Sequence, residues 1–282
     1  MAYNKYYLQK RQVSYDNGLT WEDVTPSETR QGAYIDTYET LSDCEGVIDY
    51  SKQYLTFESL EDNNAISWIA KAIAGGGITA KTISASTDNG VTWTAYTSTT
   101  GGTTIATLNV GDKLLIKGEN TAYGHNSVNK FVSTGQFNVY GNIMSMISGD
   151  SFDEATTLTE TATFQTLFGG CTGLTSAEHL ILPATTLTAT CYVSMFNGCT
   201  NLTVAPELPA TTLKSNCYRW MFYNCSSLNY IKCLATDISP NSDTYNWVSG
   251  VASTGTFVKN SAATWTTGVN GIPDGWTVQN NS

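Results

Sequence analysis

Charge is what this chain has least of. Asp, Glu, Lys and Arg make up 13% of its 282 residues, about half the ~25% of an ordinary soluble domain. Lys and Arg number 14 against 24 Asp and Glu, for a net charge of −10. Only three are arginines, Arg11, Arg30 and Arg219. Neutralising phosphates takes clustered basic residues, so no nucleic-acid partner is expected. There are two histidines, His125 and His179. A zinc site wants Cys and His converging at short spacings, and these do not. No apolar run approaches the ~18 residues of a spanning helix, so no membrane insertion is expected. The opening MAYNKYYLQKRQ has no apolar stretch and no cleavage site, so export by a signal peptide is not expected either.

Catalytic motifs are also missing. There is no P-loop, G-x-S-x-G or H-E-x-x-H. Glu22-Asp23, Glu61-Asp62 and Asp153-Glu154 are neighbours in turn-like segments and forecast no carboxylate pair facing across a cleft. Asp62, Asp88 and Asp112 belong to no calcium loop. Glu178 and His179, read as adjacent strand residues, face opposite ways and make no acid–base pair. The expectation is a protein without cofactor and without enzymatic activity.

What is present is apolar and aromatic: 41% hydrophobic residues, with 7 Trp, 16 Tyr and 9 Phe. That supplies packed cores, and disorder is excluded, since it needs few aromatics and much charge. The surface is left to Thr, Ser, Asn and Gly, as in extracellular or virion proteins.

The chain also repeats itself. LFGGCTGLTSAEHLILPATTLTATCY begins at Leu167, MFNGCTNLTVAPELPATTLKSNCY at Met195 and MFYNCSSLNYIKCLATDIS at Met221. Cys171, Cys199 and Cys225 are spaced 28 and 26 apart, as are Phe168, Phe196, Phe222 and Leu174, Leu202, Leu228. A period of about 20–29 with a recurring Leu is the leucine-rich-repeat range. After each C-x-x-L a short strand is predicted. TATCYVSMF and SNCYRWMF read as a helical turn on the opposite side. Phe137–Asp150 is expected to open the stack and Thr256–Val278 to close it, because terminal repeats must differ.

From Phe137 to Val278 the sequence closely resembles the BspA-like leucine-rich repeats of Bacteroidales surface proteins and their phages. The motifs that carry this are MFNGCTNLTVAPELPATTL, IKCLATDIS and GTFVKN…GIPDGW. The resemblance implies an adhesive or structural scaffold and names no ligand. The opening segment with SYDNGLTWEDVTP resembles N-terminal segments of structural proteins from crAss-like Bacteroides phages, which implies a docking segment.

Three units are expected in a mainly β chain: a docking hairpin segment over 1–50, a β-sandwich over 51–136, and the repeat solenoid with its caps over 137–282. Within the second, Tyr54–Gln136 alternates like strands broken by Gly and Asn. One helix is predicted at Asn64–Ala74, where Ile66, Ile69 and Ile73 share a face. S-x-D-x-G-x-T-W occurs twice, with Asp16, Gly18 and Trp21, then Asp88, Gly90 and Trp93. Asn-Gly at its centre signals a type I′ hairpin. The pattern resembles the Asp-box of sialidases, where it is a structural hairpin. A sialidase site would need clustered arginines, which three dispersed ones do not supply.

Six of the seven cysteines lie in the repeats. They read as reduced thiols packed inside, with disulfides or a metal as the alternatives; Cys44 reads as a lone buried hydrophobe. Tyr192, Tyr218, Arg219, Trp220 and Tyr223 fall in the turn segments. Either they form a surface stripe that binds sugar or a subunit, or some of them pack inside. Taken together, the expectation is a virion structural protein of a phage: a fibre, tail appendage or capsid decoration. Tyr3, Tyr6, Tyr7 and Trp21 would dock it to other virion proteins, and the repeats would bind a host surface glycan or protein. A homo-oligomer is expected. The alternatives are a bacterial cell-surface adhesin and, more remotely, a glycan-processing enzyme.

Overall fold

The structure, a computed structural model, describes the backbone of Tyr7–Ser14 (β1), Glu22–Val24 (β2) and Ala33–Thr40 (β3), and residues 49–73, 75–236 and 242–281 in full. The chain divides into two compact units, Met1–Asp49 and Tyr50–Ser282. In the first, β1 is the central strand. It runs antiparallel to β3 from Tyr7↔Thr40 to Ser14↔Ala33, and its second half pairs with β2.

The second unit is mainly β, with several sheets. Its first strands are Leu55–Ser59 (β4), Asn64–Ala72 (β5), Thr82–Ser86 (β6), Thr94–Thr97 (β7), Thr103–Leu108 (β8), Lys113–Lys117 (β9), Ser127–Ser133 (β10) and Phe137–Asn142 (β11). One sheet has the order β10-β5-β8. In the other, β11-β4-β9-β6-β7 pair antiparallel. Aromatic rings fill the space between the sheets: Phe131 of β10 lies 4.8 Å from Phe57 of β4 and 4.6 Å from Trp68 of β5.

The helix expected at Asn64–Ala74 is instead strand β5. Asn64, Ile66, Trp68 and Ala70 are buried while Ala65, Ser67 and Ile69 are half-buried, an alternation of period two. Helical spacing of the isoleucines coincided with strand spacing of Ile66 and Trp68, and β-branched and aromatic side chains fit a pleated surface better.

β11 is where the repeats begin. One edge is antiparallel to β4; the other is parallel to Leu174–Ser176 (β12) and Leu180–Ile181 (β13). From β12 the parallel pairing passes from repeat to repeat: Ser176 to Val204, Val204 to Tyr230, Tyr230 to Thr256, Thr256 to Thr277. The last rungs are Tyr230–Cys233 (β14), Thr256–Asn260 (β15) and Thr277–Asn281 (β16). The predicted opening and closing segments thus supply the strands at the two ends of this ladder.

The opposite side is not helical, contrary to expectation. Each repeat runs through tight turns in which every fourth residue is left-handed: Ala162, Thr166 and Gly170, then Thr190, Ser194 and Gly198, then Asn216, Trp220 and Asn224. The backbone amides alternate. Phe164, Thr166, Phe168 and Gly170 donate to the carbonyls of Cys191, Val193, Met195 and Asn197 in the next repeat, at 2.7 to 2.9 Å. Leu167, Gly169 and Cys171 donate back three residues within their own repeat. A helix would turn nearly all of these amides inward along its own axis and leave none for a neighbour. This second ladder also starts in the two-sheet region, where the Phe131 amide of β10 donates to Leu167.

Side chains repeat the pattern inside. Phe131, Phe168, Phe196 and Phe222 stack with centroids 5.9, 5.5 and 5.6 Å apart. Tyr123, Phe164, Tyr192 and Tyr218 form a second column at 6.5, 5.9 and 6.1 Å. Both columns end on Trp247, which stacks on Trp265. Each such pair adds about 0.5–1.5 kcal/mol beyond the area it buries. Leu174, Leu202 and Leu228 are fully buried.

The cysteines have a defined partner. The thiols of Cys171, Cys199 and Cys225 donate to the carbonyls of Phe131, Phe168 and Phe196, one rung back, at 3.0, 3.1 and 3.0 Å. At the junction the Lys130 ammonium donates to the Gly169 carbonyl. Gly173 must be glycine, since a Cβ there would sit 2.0 Å from the Gly135 carbonyl oxygen. One hydrophobic core therefore runs from Leu55 to Trp276, and the boundary drawn at residue 136 falls between two strands that both seed the stack.

Six cysteines, all in the repeats, are free and buried. Burial pushes the thiols of Cys171, Cys217, Cys225 and Cys233 up to about 12, and raises Cys191 and Cys199 too. Only the thiolate reacts, so these six should resist alkylation at pH 8 in the native protein. After unfolding without reductant, seven thiols should react. A lower count in denaturant would reveal disulfides.

Candidate binding surface

The turn side of the repeats presents two kinds of column. Phe164, Tyr192 and Tyr218 are aromatic and buried, and the same position in the next repeat is the buried Thr244. Tyr192 and Tyr218 are 1% exposed, so the stripe expected to include them is corrected: they belong to the core. Burial raises both of their phenol pKa values, and the Tyr192 hydroxyl has no hydrogen-bond partner. The signal was in the alignment, since this position stays aromatic through three successive repeats, at Phe164, Tyr192 and Tyr218.

The next two columns change from repeat to repeat: Gln165, Val193, Arg219, Tyr245 and Thr166, Ser194, Trp220, Asn246. Backbone bonds Ser194 N–H to Arg219 and Trp220 N–H to Tyr245 fix their order. Arg219, Trp220 and Tyr223 are half-buried, and Tyr245 is 42% exposed. The Arg219 guanidinium lies 3.9 Å from the Trp220 ring centre and 5.2 Å from that of Tyr245. Trp220 meets Tyr245 edge-on at 6.3 Å. Tyr245 was not foreseen as a member, because it lies beyond the third copy of the repeat motif.

Two recesses lie elsewhere. A groove of about 530 Å³ on the strand side is lined by Glu178, His179, Glu207, Tyr230 and Lys232 among others. Lys232 and Glu207 pair at 3.0 Å, and His179 stacks on Tyr50 at 4.4 Å. Glu178 and His179 were read as strand neighbours facing opposite ways. They lie in the turn before β13 and line the same groove. A second recess, about 400 Å³, is lined by Lys117, Glu119, Asn120 and Asp150 among others. There Lys117 bonds Asp150 at 2.7 Å and lies 4.3 Å from the Trp93 ring centre. The Lys117 bond, then the Tyr54 hydroxyl, holds Asp150 below the usual carboxylate range. Asp150 is therefore an ionised anchor rather than a proton donor.

The second S-x-D-x-G-x-T-W motif is a hairpin joining β6 to β7. Asn89 and Gly90 both have positive φ, as the predicted turn requires. Asp88 Oδ1 accepts from the Ser86 hydroxyl at 2.7 Å and the Thr92 amide at 2.9 Å; Oδ2 accepts from the Thr92 hydroxyl at 2.6 Å. Trp93 Nε1 donates to the Gly90 carbonyl. Every bond of the carboxylate closes the turn. The first copy, Asp16, Gly18 and Trp21, lies outside the described residues, as do Tyr3, Tyr6 and Cys44. Tyr7 opens β1, described here by its backbone alone. Among the described residues no three His, Cys, Asp or Glu are grouped to hold a metal ion, and no helix is long and apolar enough to cross a membrane.

Against protein-family models, curated proteins and solved structures, the chain has no match.

The Ser86 and Thr92 bonds lower Asp88 from 3.8 to about 2. A depressed folded-state pKa gives stability that is complete above about pH 4 and is lost as pH falls toward 2. Denaturation titrations of the natural chain and of Asp88→Asn should diverge above pH 4 and converge near pH 2. Parallel curves would mean that the carboxylate does not hold the hairpin.

Proposed function

We propose that the chain is a non-enzymatic structural protein of a phage virion, in a fibre, tail appendage or capsid decoration, whose repeats face the host. In this reading Tyr50–Ser282 is a β-sandwich that continues into a BspA-like leucine-rich-repeat solenoid. The observation that carries it is the pair of hydrogen-bonded ladders beginning at β10 and β11. They make a rigid arm from the sandwich while leaving the columns at 165 and 166 free to vary. Such an arm presents a binding surface whose side chains can change without disturbing the core. The motifs MFNGCTNLTVAPELPATTL and GTFVKN…GIPDGW support the same reading by resemblance.

Residues 1–49 form the docking end, with Tyr3, Tyr6, Tyr7 and Trp21 as anchors to other virion proteins, because Tyr and Trp dominate interface energetics. Several copies on one particle, as in a homo-oligomer, would let weak contacts with a host glycan or protein act by avidity. Because one core spans 50–282, the informative cut is before Tyr50. Mass spectrometry of purified particles should find the full chain. It should not find a chain lacking residues 1–49. Retention of the shortened chain on particles would overturn the docking assignment.

A further inference from the structure

We infer that Arg219, Trp220 and Tyr245 form a receptor for a sugar carboxylate: the terminal or branching uronic or nonulosonic acid of an acidic surface glycan. This rests on the reading above that the repeats face the host, and it adds the chemical class of ligand.

Three observations converge. Arg219 is the sole arginine of Tyr50–Ser282, in a chain with 24 acidic residues. An arginine in such company would ordinarily hold a carboxylate, yet this one makes no ion pair among the described residues. Its guanidinium carbon lies over Trp220, 3.9 Å from the ring centre, its Nε is buried with no hydrogen-bond partner, and its one side-chain bond is a long 3.4 Å contact from Nη1 to Asn216 Oδ1. A guanidinium held on a ring with its donors unfilled is preorganised for a planar, bidentate acceptor.

The second observation is Trp220 itself. Its φ is +54°, where other repeats place Thr166, Ser194 and Asn246. A bulky side chain in the left-handed region is an outlier. Strain of this kind clusters at ligand sites, where neighbouring structure enforces it. Here the amide bond to Tyr245 and the stack on Arg219 enforce it.

The third is the surroundings. The neighbouring positions on this side hold Gln165, Thr166, Ser194, Asn197 and Asn246, all half-buried and polar, together with half-buried Tyr223 and buried Val193. A polar rim also borders protein interfaces, so it is the guanidinium with unfilled donors that points to a carboxylate, and the surroundings add the saccharide. A hydroxyl- and amide-lined platform with two rings suits a saccharide, whose C–H face stacks on the rings while its hydroxyls meet the polar side chains.

The test uses the full chain and two probes: a tetrasaccharide ending in glucuronic acid and its carboxyl-reduced, glucose-ended form. With three arginines, the Arg Nε–H region of a ¹⁵N NMR spectrum should contain three signals. The one assigned by Arg219→Gln should exchange slowly with water and shift on adding the acid. The acid should bind at least about tenfold more tightly than the reduced sugar, the worth of a charge-assisted bond pair. Arg219→Gln and Arg219→Lys should both remove that preference at unchanged melting temperature, since lysine keeps the charge but not the fork. Equal affinity for the two probes, no binding of either, or an unmoved Arg219 signal overturns the assignment. If the preference holds and the chain still ignores intact host cells, the site stands and the display reading falls.

Discussion

Everything in Tyr50–Ser282 depends on hydrogen bonds between repeats being in register. On the strand side the register is carried by parallel pairing through Ser176, Val204, Tyr230, Thr256 and Thr277. On the turn side it is carried by every second amide. With both sides fixed, each inward residue meets its own counterpart one repeat away. Phenylalanine stacks on phenylalanine, and each ladder cysteine donates its thiol to the carbonyl behind it. A stack of this kind needs a first rung that is already ordered. β11 supplies it on one side and β10 on the other, and the two sheets that hold these strands are locked by Phe57, Phe131 and Trp68. The unit is thus built outward from one aromatic junction.

The repeats, their strands and their closing segments were legible because a 26- to 28-residue offset aligns Cys, Leu and Phe without reference to conformation. The nature of the turns was not. Ala162, Thr166, Thr190, Ser194 and Trp220 adopt a left-handed backbone that none of these residue types favours, so local propensity pointed to a helical turn. Only cross-repeat bonding makes that backbone pay. Strand β5 was misread for a related reason: Ile66 and Ile69 satisfy a helical stripe, while the deciding neighbours, Ser127–Ser133 and Thr103–Leu108, lie far along the chain. The hairpin at Asp88 was legible because Asn-Gly and its flanking Ser, Thr and Trp are all local.

The surface reading divides along the same line. Tyr192 and Tyr218 were grouped with Arg219 and Trp220 because they lie close in sequence, yet the turns bury residues in pairs: Cys217 and Tyr218 are buried, Arg219 and Trp220 half-buried, Met221 and Phe222 buried again. The half-buried columns carry different side chains from repeat to repeat, with only Val193 among them buried. That division links fold to proposed function. The same hydrogen bonds that make the core repetitive free the outward positions to carry different side chains, and one of those positions holds a tryptophan of left-handed backbone beneath an arginine that makes no ion pair among the described residues.

The central claim is that the aromatic junction templates the whole stack, and native-state hydrogen exchange on Phe131→Ala tests it most directly. Removing a buried phenylalanine costs about 3–5 kcal/mol. If the junction is the template, the amides of Phe168, Phe196 and Phe222 should lose protection by similar amounts, although Phe222 lies three rungs away. Loss of protection confined to Phe131 and Phe168, with Phe222 as protected as in the natural chain, would show that the repeats hold their register without the sheets, and would contradict the account.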